Sequence, residues 1–212
     1  AGDLLVVIYL LAVIRFLMSL AGIDSGSSYA GLGSIRELTL SVLVEPSIIL
    51  VLFIMALFAG STNLGTISQM IALGKISYAS PAIWLGMAAF AVAAFMEMGN
   101  LAEAEQELQE GPLTEYSGQR LSLMEWGIFM KQTVVASLFL AVFFPFGSAA
   151  TLSLQAALLG AVIFLLKLTL CYFLAAVIEN SMGRLTIYQA PQATWVALGI
   201  AMLSFVFYLV GI

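Results

Sequence analysis

Between Lys131 and Glu179 the chain carries a single charged side chain, that of Lys167, and the rest of the interval is apolar, small or neutral. A run of that kind is out of place on the surface of a water-soluble domain. A helix needs about 20 mostly apolar residues to cross a hydrocarbon core roughly 30 Å thick. Six such spans can be drawn, at 3–21, 34–58, 81–99, 123–145, 153–178 and 193–212. Composition agrees, with 62% hydrophobic and 9% charged residues against about 25% charged in ordinary soluble domains. The expected fold is an all-α, polytopic integral membrane helix bundle, one transmembrane domain over 1–212.

Local signals mark three of the helix starts. Ser34-Ile35-Arg36-Glu37 and Ser122-Leu123-Met124-Glu125 fit the capping box, in which a Ser side chain and a Glu three residues on satisfy each other's free backbone N–H groups. Pro81 suits a first turn, where its missing N–H costs nothing. Residues 22–33 read as a Gly/Ser-rich turn and 59–80 as a mildly polar connection with Lys75. Residues 146–152 are short and uncharged, and 179–192 carry Glu179, Arg184 and Pro191. No internal repeat supports an inverted-repeat transporter. Arg36, Arg120 and Arg184 fall on one side and Lys75 on the other, which places the acidic loop 100–122 in the cytoplasm and the C-terminus outside. The opening Ala1-Gly2-Asp3 runs straight into a span, so the chain reads as a piece of a longer product.

The available chemistry is narrow. There is no His and one Cys, Cys171, so no zinc or haem site of the usual kinds is expected and no disulfide can form within the chain. Proton chemistry must use Glu, Asp, Lys, Tyr or water. The Met and Phe residues read as packing or lipid-facing groups, and Gly22–Gly33 matches no phosphate loop. No nucleic-acid partner is expected of a chain with net charge −5. A charge at mid-helix costs about 2.5–3.5 kcal/mol on insertion scales. Glu45 lies about eleven residues into its span, and Pro46 beside it removes a helix hydrogen bond and frees a carbonyl. Lys167 is similarly deep. Both read as parts of a buried polar path, with a static packing pair as the plainer alternative. Arg15 and Lys131 fall nearer the cytoplasmic ends, within snorkelling reach of the interface.

Six of the twelve acidic residues fall within 97–118: Glu97, Glu103, Glu105, Glu107, Glu110 and Glu115. On a helix, Glu103, Glu107 and Glu110 would share one face, with Glu105 on another. Such a cluster handles protons or cations, docks a partner, or is a solvated acidic face.

This stretch resembles the loop between the fifth and sixth helices of the eight-helix membrane subunit shared by respiratory complex I and the membrane-bound [NiFe] hydrogenases. The family pattern is roughly Glu-x-x-(Asn/Lys/Arg)-x-Pro-Phe-Asp-Leu-x-Glu-Ala-Glu-x-Glu-Leu, then Thr-Glu-Tyr-Ser-Gly. Glu97-Met98-Gly99-Asn100 is similar to its start, Ala102-Glu103-Ala104-Glu105-Gln106-Glu107-Leu108 to its middle, and Thr114-Glu115-Tyr116-Ser117-Gly118 to its end. Arg36 with Glu45 nine residues on, and Glu179-Asn180-Ser181-Met182-Gly183-Arg184, agree. Gln106 to Leu113 and Val44-Glu45-Pro46 are more similar to the formate hydrogenlyase and hydrogenase-4 branch. The resemblance covers the chain as the family's third to eighth helices. The first two helices have no counterpart, nor has Pro-Phe-Asp between Asn100 and Ala102, which we attribute to residues left out of the sequence rather than to a deletion.

The resemblance implies a non-catalytic subunit of an oxidoreductase complex in the bacterial cytoplasmic (inner) membrane. It would anchor a peripheral hydrogenase arm and couple its electron transfer to proton or cation movement. Implied coupling residues are Glu45, Glu97, Glu103, Glu105, Glu107, Glu115, Arg36 and Lys167, and implied docking residues are Glu107, Glu110 and Arg184. Implied partners are the [NiFe]-hydrogenase large and small subunits, an iron–sulfur subunit and antiporter-like membrane subunits. The iron–sulfur clusters and Ni–Fe centre would sit in those neighbours, with no cofactor or metal bound by this chain. The alternatives are a quinone-site subunit of an NADH dehydrogenase-type complex, an independent cation transporter, and a passive anchor.

Overall fold

The computed structural model describes residues 2–98, 113, 115–147, 154–181 and 190–211. Among them are seven helices: α1 (Leu4–Asp24), α2 (Ser28–Ala59), α3 (Leu64–Ala72), α4 (Pro81–Met98), α5 (Gln119–Phe143), α6 (Leu154–Ser181) and α7 (Ala190–Val210). Five are long and apolar enough to cross a membrane, and the apolar part of α4, Pro81–Glu97, is shorter. Each of the six expected spans thus coincides with a helix, and the chain is an all-α polytopic membrane bundle.

The helix starts differ from expectation. α2 begins at Ser28 with Ser27 as N-cap, so Ser34 lies inside it, and its Oγ donates to the carbonyl of Ala30 at 2.9 Å. α5 begins at Gln119, and Ser122 Oγ donates back to the carbonyl of Gln119 at 3.0 Å. In both, the hydroxyl bonds back within the helix instead of capping it. The acidic connection therefore ends at 118 rather than 122. The Gly/Ser-rich turn is also shorter than 22–33, because α1 runs to Asp24 and Gly26 turns the chain at φ 72°. Pro81 does open α4. The connection 59–80 holds α3, whose nine residues are too short to span.

One end of the bundle gathers Leu4, Ala59, Pro81 and Phe143 and can be called the Asn63 end. There the amide of Leu4 donates to the carbonyl of Thr62 and that of Leu64 to the carbonyl of Gly2, both at 2.9 Å. Tyr78 Oη donates to the carbonyl of Phe143 at 2.6 Å. The opposite, Tyr116 end is tied by Tyr116 Oη donating to the carbonyl of Ala21 at 2.9 Å.

Small residues let the central helices approach. Lipid is as apolar as leucine, so close packing rather than water exclusion holds membrane helices together. Ala82, Ala89 and Ala93 of α4 and Ala197 and Ala201 of α7 are buried. Ser204 Oγ crosses from α7 to donate to the carbonyl of Ala82 at 2.6 Å. A Cβ on Gly86 would lie 3.3 Å from that oxygen and 3.6 Å from Val51 Cγ1. Glycine at this position sets the spacing of α2, α4 and α7. Beside it, Phe90, Phe139 and Phe143 form a ring cluster with centroids 5.3–6.0 Å apart.

Candidate functional site

Four ionisable side chains from four helices meet in the interior. Arg15 of α1 lies between two carboxylates, with Nη2 2.5 Å from Glu45 Oε1 of α2 and Nη1 2.9 Å from Glu97 Oε2 of α4. The other oxygen of Glu97 faces Lys131 Nζ of α5 at 3.3 Å. The order is Glu45–Arg15–Glu97–Lys131, alternating in sign. Arg15, Glu97 and Lys131 are 5%, 7% and 8% exposed. Glu45 is the open end, with its side chain 30% exposed.

The depth follows from helix geometry. At 1.5 Å per residue, the four side chains lie about 16–24 Å along their helices from the Asn63 end, from about the middle of a core roughly 30 Å thick toward its Tyr116 side. Glu45 is just past the midpoint of a 32-residue helix that continues through Pro46. Proline has no N–H to offer the carbonyl of Val42, so backbone polarity is released one turn from the carboxylate. Glu97 is reached differently. It stands in the last described turn of α4.

This arrangement corrects two expectations. Arg15 and Lys131 do not snorkel. The helices extend past the expected spans, leaving both residues near the middle of theirs, and each is buried against a carboxylate. Lys167 is not the partner of Glu45. Its Nζ donates to the carbonyls of Phe144, at 2.8 Å, and Phe146, where α5 has ended.

Two small cavities border the chain of charges. One of about 20 Å³ is lined by Arg15, Glu45, Glu97 and Phe90, among others, and has room for one water molecule. A second of about 10 Å³ lies between Arg15, Met18, Glu37 and Lys131. It brings Glu37, which the sequence offered only as a capping residue, to the edge of the site. Three buried polar atoms nearby or along the same helices, Arg15 Nε, Ser19 Oγ and Ser47 Oγ, find no hydrogen-bond partner among the described residues. Buried polar atoms of this kind are where internal water is ordinarily held.

Of the remaining sequence-derived residues, Arg36 is exposed in α2 and Glu115 is exposed in the turn before α5. Glu103, Glu105, Glu107, Glu110 and Arg184 lie outside the described residues. Among the described residues no cluster of three or more His, Cys, Asp or Glu could hold a metal ion. Sequence reasoning missed Arg15, Lys131 and Glu37 as members of the site. The signal was present, since each is a charge inside a long apolar helix.

Comparison with known proteins gives a consistent result. A family model described as NADH dehydrogenase matches residues 1–209. Hydrogenase-4 component C of Escherichia coli (strain K12) is 48% identical over 215 aligned residues, covering 100% of this chain and 68% of that protein. Formate hydrogenlyase subunit 4 of the same strain is 44% identical over 209 residues, covering 97% and 68%. A subunit of the NADH-quinone oxidoreductase of Rhodospirillum centenum is 30% identical over 200 residues, covering 89% and 58%.

Proposed function

The chain belongs to the NADH dehydrogenase family, as a complex I-like membrane subunit, and from that premise we propose that it serves a membrane-bound [NiFe] hydrogenase of the formate hydrogenlyase or hydrogenase-4 type. It anchors the peripheral arm and couples electron transfer there to movement of protons or cations. The hydrogenase branch is favoured over a quinone-reducing complex by identities of 48% and 44% against 30%. The Tyr116 end faces the cytoplasm of a bacterial inner membrane, where the acidic segment from Glu103 to Glu110 meets the arm. Its partners are the hydrogenase large and small subunits, an iron–sulfur subunit and antiporter-like membrane subunits. Iron–sulfur and Ni–Fe chemistry belongs to those neighbours, since a chain with no His and a single Cys cannot ligate such centres.

The observation that carries the coupling role is the shared guanidinium. Arg15 grips Glu45 and Glu97 at once, and Glu97 also holds Lys131. A proton reaching Glu97 removes the charge that two cations share. Arg15 is then held by Glu45 alone, so events at the end of α4 alter the electrostatics at the open end of the chain. Glu45, partly exposed and beside Pro46, which has no N–H to offer the carbonyl of Val42, is the exit toward the rest of the membrane arm. Arg36, Glu103, Glu105, Glu107 and Glu115 supply the cytoplasmic entry.

Glu45→Gln tests this role, because it keeps size and hydrogen bonding but cannot ionise. The variant complex should retain hydrogenase activity with a soluble electron donor while ion movement in sealed vesicles is abolished. Wild-type acidification or polarisation per H₂ turned over would make Glu45 a packing residue.

A further inference from the structure

Glu37 stands apart from the ion-pair chain but borders it. It lies eight residues before Glu45 on α2, about 12 Å nearer the Tyr116 end, and it is half-buried. Among the described residues its carboxylate makes no hydrogen bond and closes no ion pair. It nevertheless faces the buried cations, since it lines the cavity of about 10 Å³ together with Arg15, Met18 and Lys131. Of the charges around it, that of Lys131 acts on it most strongly, followed by Glu97 and Arg15.

With Glu37 included, three carboxylates share two cations. Arg15 is fully engaged, because its two terminal nitrogens already hold Glu45 and Glu97. Lys131 is not. Its contact with Glu97, at 3.3 Å, is longer than the roughly 2.7–2.9 Å of a tight charge-assisted bond, and an ammonium has three N–H donors. The helix also leaves it room to move. A helical side chain leans toward the N-terminus, over the residue one turn earlier, and for Lys131 that residue is Gly127. Gly127 lines the same cavity, and even a Cβ there would meet nothing within 4 Å. Lys131 thus has a second carboxylate across a water-sized gap, and space beside its stem in which to turn.

We propose that Lys131 exchanges between two carboxylates, pairing with Glu97 while Glu97 is ionised and with Glu37 once Glu97 has taken up a proton from water. The ammonium keeps its own proton throughout. One O–H bond forms at Glu97, and the ion pair moves from α4 to α2. Protonation of Glu97 then strands no buried cation, and it draws positive charge toward the Tyr116 end. This deepens the coupling role proposed above and rests on it.

Glu97→Gln stands in for protonated Glu97, since it keeps the size but carries no charge. The test is retention of the subunit in the detergent-purified complex on heating. In the wild-type background, Glu37→Gln should change the retained fraction at a fixed temperature by less than about threefold, as an unpaired and half-exposed charge contributes little. In the Glu97→Gln background the same substitution should lower it by about tenfold or more, because a buried cation then loses its remaining partner. Adding Lys131→Met to Glu97→Gln should remove the sensitivity to Glu37→Gln. Equal effects of Glu37→Gln in the first two backgrounds, or a sensitivity that survives Lys131→Met, would overturn the proposal. Should Glu97→Gln fail to assemble, the unmutated complex decides instead. A hydrophobic carbodiimide, which condenses an amine with a carboxyl group in reach, should join Lys131 to Glu37 as well as to Glu97, and joining to Glu97 alone would overturn the exchange. Neither readout depends on ion movement. Wild-type ion movement by Glu45→Gln with the exchange intact would sink the coupling role only. Equal effects of Glu37→Gln, with ion movement abolished in Glu45→Gln, would sink the exchange only.

Discussion

Replacing Arg15 with Met cuts the ion-pair chain at its branch point, and the penalty can be bounded. Removing one partner of a buried ion pair destabilises by about 3–5 kcal/mol, because the other charge is left uncompensated. The two carboxylates of Arg15 are not equally stranded. Glu97 keeps Lys131 at 3.3 Å, so Glu45 bears most of the loss. Its side chain is 30% exposed, which pulls the figure toward the lower limit. The expected cost of Arg15→Met is therefore about 3 kcal/mol. Membrane insertion of α1 does not suffer, because a charge has been replaced by an apolar group.

Glu45→Gln alone should cost only about 1–2 kcal/mol, since Arg15 keeps Glu97 and the amide still accepts a hydrogen bond. The double variant Arg15→Met/Glu45→Gln has no stranded carboxylate and should recover about 1–2 kcal/mol of the Arg15→Met loss, roughly tenfold in the folded fraction. The assay is retention of the subunit in detergent-purified complex through a heating series, for wild type, both single variants and the double. Losses that simply add in the double variant would refute the coupling of Arg15 to Glu45.

Two further outcomes follow from the same reading and fold. Reversing the charge of Glu107 and Glu110 together should release the peripheral arm from membranes at lower salt than wild type, since exposed pairs are screened within about 10 Å at 0.1 M; retention of the arm across a salt series would count against docking by this segment. At the α4–α7 contact, Ser204→Ala should cost about 1 kcal/mol by losing its 2.6 Å hydrogen bond, and Gly86→Ala about 1–3 kcal/mol by crowding Ser204 Oγ and Val51. The pair should cost less than the sum, because Ser204→Ala removes the atom that the new Cβ meets, and the heating series measures it.

The spans were legible because their signal is collective: some twenty apolar residues outvote any local motif. Their ends were not, because a Ser-x-x-Glu pattern has the same letters inside a helix as at its start. Ser34 and Ser122 illustrate this, each turning its hydroxyl back to a carbonyl of its own helix. α3 escaped because nine residues leave no trace at the length scale of a membrane. The site was half legible. Glu45 announced itself as a deep carboxylate and Glu97 as the first of the acidic cluster, and three cations, Arg15, Lys131 and Lys167, were available to balance them. Which cation serves which carboxylate depends on the faces that α1, α2, α4 and α5 turn to one another, and near-continuous apolar runs carry little facial information. The pairing of all three cations accordingly differed from expectation.

Stability alone does not account for such a chain of charges. Well-packed apolar residues in place of a buried ion pair are often neutral or stabilising by about 1–4 kcal/mol, so four ionisable side chains at mid-depth are weak evidence for a structural role. Their connection points to another. Glu97 stands in the last described turn of α4, and the acidic segment with Glu103 follows it in the sequence. A carboxylate that holds two buried cations is thereby tethered to the segment proposed to meet the peripheral arm. A displacement of the last turn of α4 changes the 2.9 Å and 3.3 Å contacts that Glu97 makes with Arg15 and Lys131. Coulomb energy between close charges is steep in distance where water is scarce. On the proposed reading, the end of α4 is where an event in the arm is converted into a change of charge balance at Glu45.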